Sequence, residues 1–83
     1  MNSKKRPPTH PGEMLRAEFL EPLGLPRRVL ADKIGITVQR VDEIVAGRAS
    51  VTPEIAERLA VALGTTPEFW TNLQRAHDEG KVV

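Results

Sequence analysis

The stretch from residue 27 to 46 constrains this chain more than any other part of it. It reads as two short amphipathic helices that meet at a sharp angle through a brief turn. Such a meeting needs a small residue where the helices nearly touch, and Ala31 supplies one. It needs a residue tolerant of positive φ in the turn, and Gly35 supplies that four positions on. It also needs apolar inner faces, and Leu30, Ile34, Ile36, Val41 and Ile44 occupy those positions. Thr37 follows as a helix cap, because its hydroxyl can accept from an orphan backbone N–H. An Ala-x-x-x-Gly spacing alone is common. Steric, conformational and hydrophobic requirements falling in one register point to a helix-turn-helix pair over about residues 26–33 and 37–46. The bland alternative is a helical hairpin inside a bundle.

The rest of the chain repeats the same punctuation. Pro11 suits the first turn of a helix running from His10 to Leu23, in which Leu15, Phe19 and Leu23 recur at spacing four on one face, and Pro22 with Gly24 ends it. Pro26 opens the second helix, and Gly47 closes the third. Thr52-Pro53 starts a fourth with a stripe of Ile55, Ala56, Leu59, Ala60 and Leu63, closed by Gly64. Thr66-Pro67 starts a last helix carrying Phe69, Trp70 and Leu73, with Gly80 at its end. No segment alternates with period two, so the expected fold is all-α, five helices without a sheet. Residues 1–9, with Lys4, Lys5, Arg6 and two prolines, read as a flexible basic arm, and residues 10–80 as the single domain.

At 83 residues a domain buries only around 60% of its unfolded surface. Dimerisation adds apolar burial, and the aromatic last helix is the natural place for it. Phe69 is expected in the core, Trp70 shared between core and dimer interface, and Leu73 in the interface. The chain has no cysteine, so disulfides and thiolate metal sites are excluded. His10 and His77 lie too far apart in sequence to suggest a metal centre and read as surface or capping residues. No apolar run approaches the roughly 20 residues that span a bilayer, and no apolar signal region follows the basic start, so the expected compartment is the cytoplasm. No nucleophile–base set, phosphate loop or metal cluster is visible, so neither an enzyme nor a cofactor is expected.

The net charge of +1 hides an asymmetry. Residues 1–40 carry eight Lys/Arg against four Asp/Glu, and residues 41–83 carry four against seven. The basic half can meet phosphate. A helix-turn-helix places the N-terminal residues of its second helix in the major groove, which nominates Thr37, Val38, Gln39, Arg40 and Asp42. Gln39 can pair bidentately with adenine, Val38 can pack on a thymine methyl, and Arg40 can read guanine or hold phosphate. Arg27 and Arg28 at the start of the first helix, and Arg48 beyond Gly47, are placed to hold the DNA backbone. Asp42 and Glu43 are an awkward pair for a groove. Either can accept from cytosine N4 or turn away and pair with an arginine, and Glu43 is read as structural.

Several runs resemble HigA-type antitoxins. They are His10-Pro11-Gly12-Glu13, Leu15 with Glu18-Phe19-Leu20, Pro22-Leu23-Gly24, Glu43-Ile44-Val45 with Gly47-Arg48, and Thr52-Pro53. Most specific is Gly64-Thr65-Thr66-Pro67-Glu68-Phe69-Trp70 with Asn72-Leu73-Gln74. The resemblance implies a lambda-repressor-like domain of the Xre/Cro class, a nucleoid-associated dimer that represses its own operon on operator DNA. It also implies a HigB-like partner, a toxin that cleaves messenger RNA. Pro26 stands where Ser or Thr is common, and Asp42 stands where Asn is common, so no operator sequence carries over. A stand-alone Xre-type regulator without a toxin and a protein-interaction module without a DNA role remain as alternatives.

Overall fold

The structure, a computed structural model, describes residues 9–80; the basic residues Lys4, Lys5 and Arg6 of the expected arm lie outside them. Five helices and no strand occur among the described residues. Helix α1 begins as α-helix (Pro11–Leu15), widens into a π-helical stretch (Arg16–Leu20) and closes with one α-helical turn (Glu21–Leu23). Then come α2 (Arg27–Ile34), α3 (Val38–Val45), α4 (Pro53–Leu63) and α5 (Pro67–Glu79). The expected starts hold to within a residue. Thr37, Thr52 and Thr66 each accept from the N–H three residues on, belonging to Arg40, Ile55 and Phe69. Pro26 precedes α2 as a cap with no side-chain hydrogen bond.

The first helix departs from the expected register. Leu23, expected on the buried face, is 65% exposed, while Leu20 is buried with Leu15. The cause is the π turn: the Glu21 N–H donates to the Arg16 carbonyl, five residues back, so side chains five apart come onto one face. Pro22 gives the local reason. In a regular helix its ring would press on the Glu18 carbonyl, and a widened turn just before it relieves that contact. The helix therefore runs past Pro22 and stops at Gly24.

One core joins all five helices. Leu15, Leu20, Leu30, Ala31, Ile34, Val41, Ile44, Val51, Ile55, Ala56, Leu59 and Trp70 form it. Helix α1 crosses the end of α3 so closely that a β-carbon on Gly12 would sit 1.8 Å from the Ile44 carbonyl oxygen. Only glycine permits that approach. Ala31 is 1% exposed at the α2–α3 contact, and Gly35 takes φ 73° in the turn.

On the aromatic helix both rings pack with the core, as Phe69 was expected to, but Trp70 lies deeper than expected. Trp70 is wholly enclosed, at 0% exposure. Its indole N–H donates to Thr65 Oγ1 at 2.7 Å, and its ring packs on Phe19 and edge-on to Phe69, at centroid distances of 5.4 and 4.9 Å. Phe69 and Leu73 are only half-buried. Trp70 thus has no surface to offer a partner. It fills the centre of the core, reaching α1 at Phe19 while its own N–H is satisfied by Thr65.

Candidate nucleic-acid interface

Helix α3 sits on Val41 and Ile44, both 1% exposed, and these two fix which side faces outward. Thr37, Val38, Gln39, Arg40 and Asp42 are all exposed. Val38, at 43%, is one of few large apolar side chains left to solvent, the placement a methyl contact in a groove requires. Gln39 makes no side-chain bond among the described residues, so its amide is available for bidentate pairing. The Thr37 hydroxyl is engaged as the cap, accepting from the Arg40 N–H at 3.0 Å, on a residue that is otherwise exposed.

The arginines fall into two pairs. Arg27 and Arg40 are ion-paired to the acidic residues of α3: Arg27 Nη1 donates to Asp42 Oδ1 at 3.0 Å, and Arg40 Nε lies 3.5 Å from Glu43 Oε1. The two carboxylates thus each turn to an arginine, Glu43 as read from the sequence. Arg28 and Arg48 are exposed and make no ion pair among the described residues. Their whole charge is open to phosphate.

Three structural supports of this surface were not legible in the sequence. Arg58 of α4 donates to the Ile34 carbonyl at 2.9 Å and to Glu54 at 2.7 Å, so it caps α2 at the turn of the motif. Gln74 of α5 is buried. Its Oε1 accepts from the Val51 N–H at 2.8 Å and its Nε2 donates to Asp78 at 2.9 Å, tying down the loop after α3. His10 accepts from the Gly12 N–H through Nδ1 at 2.9 Å and meets the His77 ring edge-on at 4.8 Å. Capping was expected for such residues; the meeting across 67 positions of sequence was not. Burial holds the His10 pKa below its ordinary value of 6.5, the charge of His77 adds to this, and Asp78 opposes it. Among the described residues no set of three or more metal-ligating side chains includes the pair.

Comparison with known proteins bears on this surface. The helix-turn-helix family model matches residues 17–70. Antitoxin HigA-1 of Vibrio cholerae serotype O1 is 45% identical over 78 residues, which make up 94% of this chain and 73% of that protein. Antitoxin GraA in complex with its operator has a TM-score of 0.84 at 40% identity, covering 96% of this chain and 81% of its own. Pseudomonas aeruginosa antitoxin HigA with the higBA promoter has a TM-score of 0.83 at 33% identity, covering 87% and 78%. Family model, relatives and fold agree: the chain belongs to the HigA-type antitoxin family of Xre-like helix-turn-helix proteins.

Proposed function

We propose that this chain is a type II antitoxin that represses its own operon by binding operator DNA as a homodimer through α3, and that neutralises a HigB-like, mRNA-cleaving toxin. The observation that carries the DNA part is the outward face of α3. Gln39 and Val38 stand clear of the protein on a helix anchored from beneath, flanked by Arg28 and Arg48 with open charge. The same fold occurs in proteins solved with operator or promoter DNA. The toxin part rests on family membership. The work takes place in the cytoplasm, on the nucleoid. Two copies are required to present α3 to successive major grooves about 34 Å apart. With Trp70 enclosed, the apolar contacts on α5 for that pairing come from Leu73 and Phe69.

The roles separate experimentally, since base contacts specify and phosphate contacts position. Gln39→Ala lowers affinity for the cognate site by about 1–3 kcal/mol and relaxes preference at one base pair. Arg28→Ala or Arg48→Ala weakens all duplexes alike and lowers the salt slope by about 1 per subunit. Titration against the duplex upstream of the gene and a scrambled duplex, at several salt concentrations, reads both. Equal weakening of both duplexes by Gln39→Ala would refute the assignment. Co-expression with the product of a neighbouring toxin gene tests the second activity: Gln39→Ala leaves rescue of growth intact, and its loss in a folded variant would show one surface serving both tasks.

A further inference from the structure

The residues read as meeting base edges lie ahead of the side chains that anchor their helix. Val41 and Ile44 hold α3 from beneath, but Thr37, Val38 and Gln39 precede both, and between Gly35 and Arg40 only Ile36 is even partly buried. Backbone bonds in the turn, from the Gly35 and Ile36 N–H groups to the Ala31 carbonyl at 2.8 and 3.1 Å, tie it only to α2. Among the described residues one side chain from another helix bonds to this junction: Arg58 of α4, whose Nη1 donates to the Ile34 carbonyl at 2.9 Å. Ile34 ends α2, so its carbonyl lacks a partner within the helix, and a cation suits the negative end of the helix dipole. The other arm of the guanidinium, Nη2, donates at 2.7 Å to Glu54, one turn back on α4. A β-carbon on Gly35 would lie 3.0 Å from Arg58 Nη1, so the glycine of the turn also makes room for this brace.

We propose that Arg58 is a positioning residue for base reading: by bracing the end of α2 against α4 it fixes where Val38 and Gln39 stand, and so supports preference for the cognate site without touching DNA. This rests on the DNA-binding reading above. A bidentate amide–adenine pair needs both hydrogen bonds at good length and angle, so a small drift at the N-terminal end of α3 costs the cognate complex. Phosphate attraction is sequence-independent and falls off only over a Debye length, so the same drift costs a non-cognate complex little. Both arms of the guanidinium are engaged on the protein, one on a backbone carbonyl and one on a carboxylate. The side chains of Arg58 and Glu54 are 43% and 73% exposed, so their ion pair adds little to folding. What the brace controls is where the turn sits.

The test is Arg58→Met, which keeps the aliphatic stem and removes both donors, with Glu54→Ala as a milder release of the same brace at an exposed position. Urea midpoints establish that each variant is folded, and Glu54→Ala carries the comparison should Arg58→Met not fold. Each is titrated on the upstream duplex and on a scrambled duplex at several salt concentrations, in the wild-type and Gln39→Ala backgrounds. Arg58→Met lowers affinity for the upstream duplex about 5- to 30-fold, part of what a lost bidentate pair costs. It leaves the scrambled duplex within about 2-fold and the salt slope unchanged. Glu54→Ala moves the ratio of the two the same way by less. In the Gln39→Ala background the loss shrinks, because the contact being positioned is already gone. Equal weakening of both duplexes, with a slope lower by about 1 per subunit, would show Arg58 holding phosphate and overturn the proposal. A loss just as large without Gln39, or a ratio unchanged in the folded variants, overturns it as well. If the wild-type protein does not prefer the upstream duplex, the DNA-binding reading falls first and takes this one with it.

Discussion

Helices α3 and α5 are built with the same ends and put to opposite uses. Each opens on a threonine whose hydroxyl accepts from the N–H three residues on. Each buries two side chains outright, Val41 and Ile44 in α3, Trp70 and Gln74 in α5. The two buried residues of α3 are medium-sized and apolar, and they serve as a seat that leaves its other side open. The two of α5 are the largest side chain in the core and a hydrogen-bonding amide that reaches another segment. Position on α3 is thus fixed from below, which frees Val38, Gln39 and Arg40 to face outward. On α5 the inward residues are themselves what the fold depends on.

That contrast can be broken by substitution. The largest effect is expected from Trp70→Ala. Removing a fully enclosed indole, with its bond to Thr65, costs about 3–5 kcal/mol, read as a shift in urea midpoint at constant slope. Survival of normal stability would mean that α5 is not the keystone of the core. Next is Gly12→Ala, at the crossing beneath α3. An exposed glycine in a helix gains roughly 0.5–1 kcal/mol on such a change. Here the new methyl meets the Ile44 carbonyl, and a loss of about 1–3 kcal/mol is expected. Its sign alone decides whether α1 and α3 touch as closely as described. By contrast, Gln39→Ala, at an exposed position proposed to read DNA, leaves folding stability within about 0.5 kcal/mol, and a larger loss would make Gln39 part of the scaffold.

The smallest effect concerns pH. The folded state holds the His10 pKa below 6.5, through burial first and the His77 charge second. The unfolded chain therefore takes up the proton at higher pH than the folded one, and between the two pKa values it binds more protons. Stability from this group is present above pH 6.5 and declines as pH falls through 6.5 toward the folded pKa. His10→Asn keeps a side-chain acceptor for the Gly12 N–H but does not titrate. Denaturation midpoints compared across this range should fall less steeply for Asn than for His. Identical profiles would show that His10 carries no linkage between protonation and folding.

What the sequence by itself determined is local. Helix ends follow from a threonine hydroxyl, a proline ring or a glycine within a few residues of the turn they govern, so α2 through α5 were legible nearly to the residue. The helix-turn-helix pair was legible because Ala31, Gly35 and Thr37 meet their requirements within seven positions of chain. The outward face of α3 followed from the stripe opposite it. The tertiary structure decided which faces turn inward where the helix departs from regular geometry, and everything that depends on a neighbour distant in sequence. Spacing of four assigned Leu23 to the core, whereas accommodating Pro22 opened a π turn that put Leu20 there instead. Adjacent Phe69 and Trp70 are equally apolar on paper and both meet Phe19 in the fold, but Trp70 is the ring that is enclosed, its N–H held by Thr65. Arg27 finds Asp42 across 15 positions, Arg58 finds Ile34 across 24, and His10 meets His77. Pairings of this kind carry no periodicity, because they are set by how helices cross, and crossing angles come from the packing of whole faces and not from any one residue.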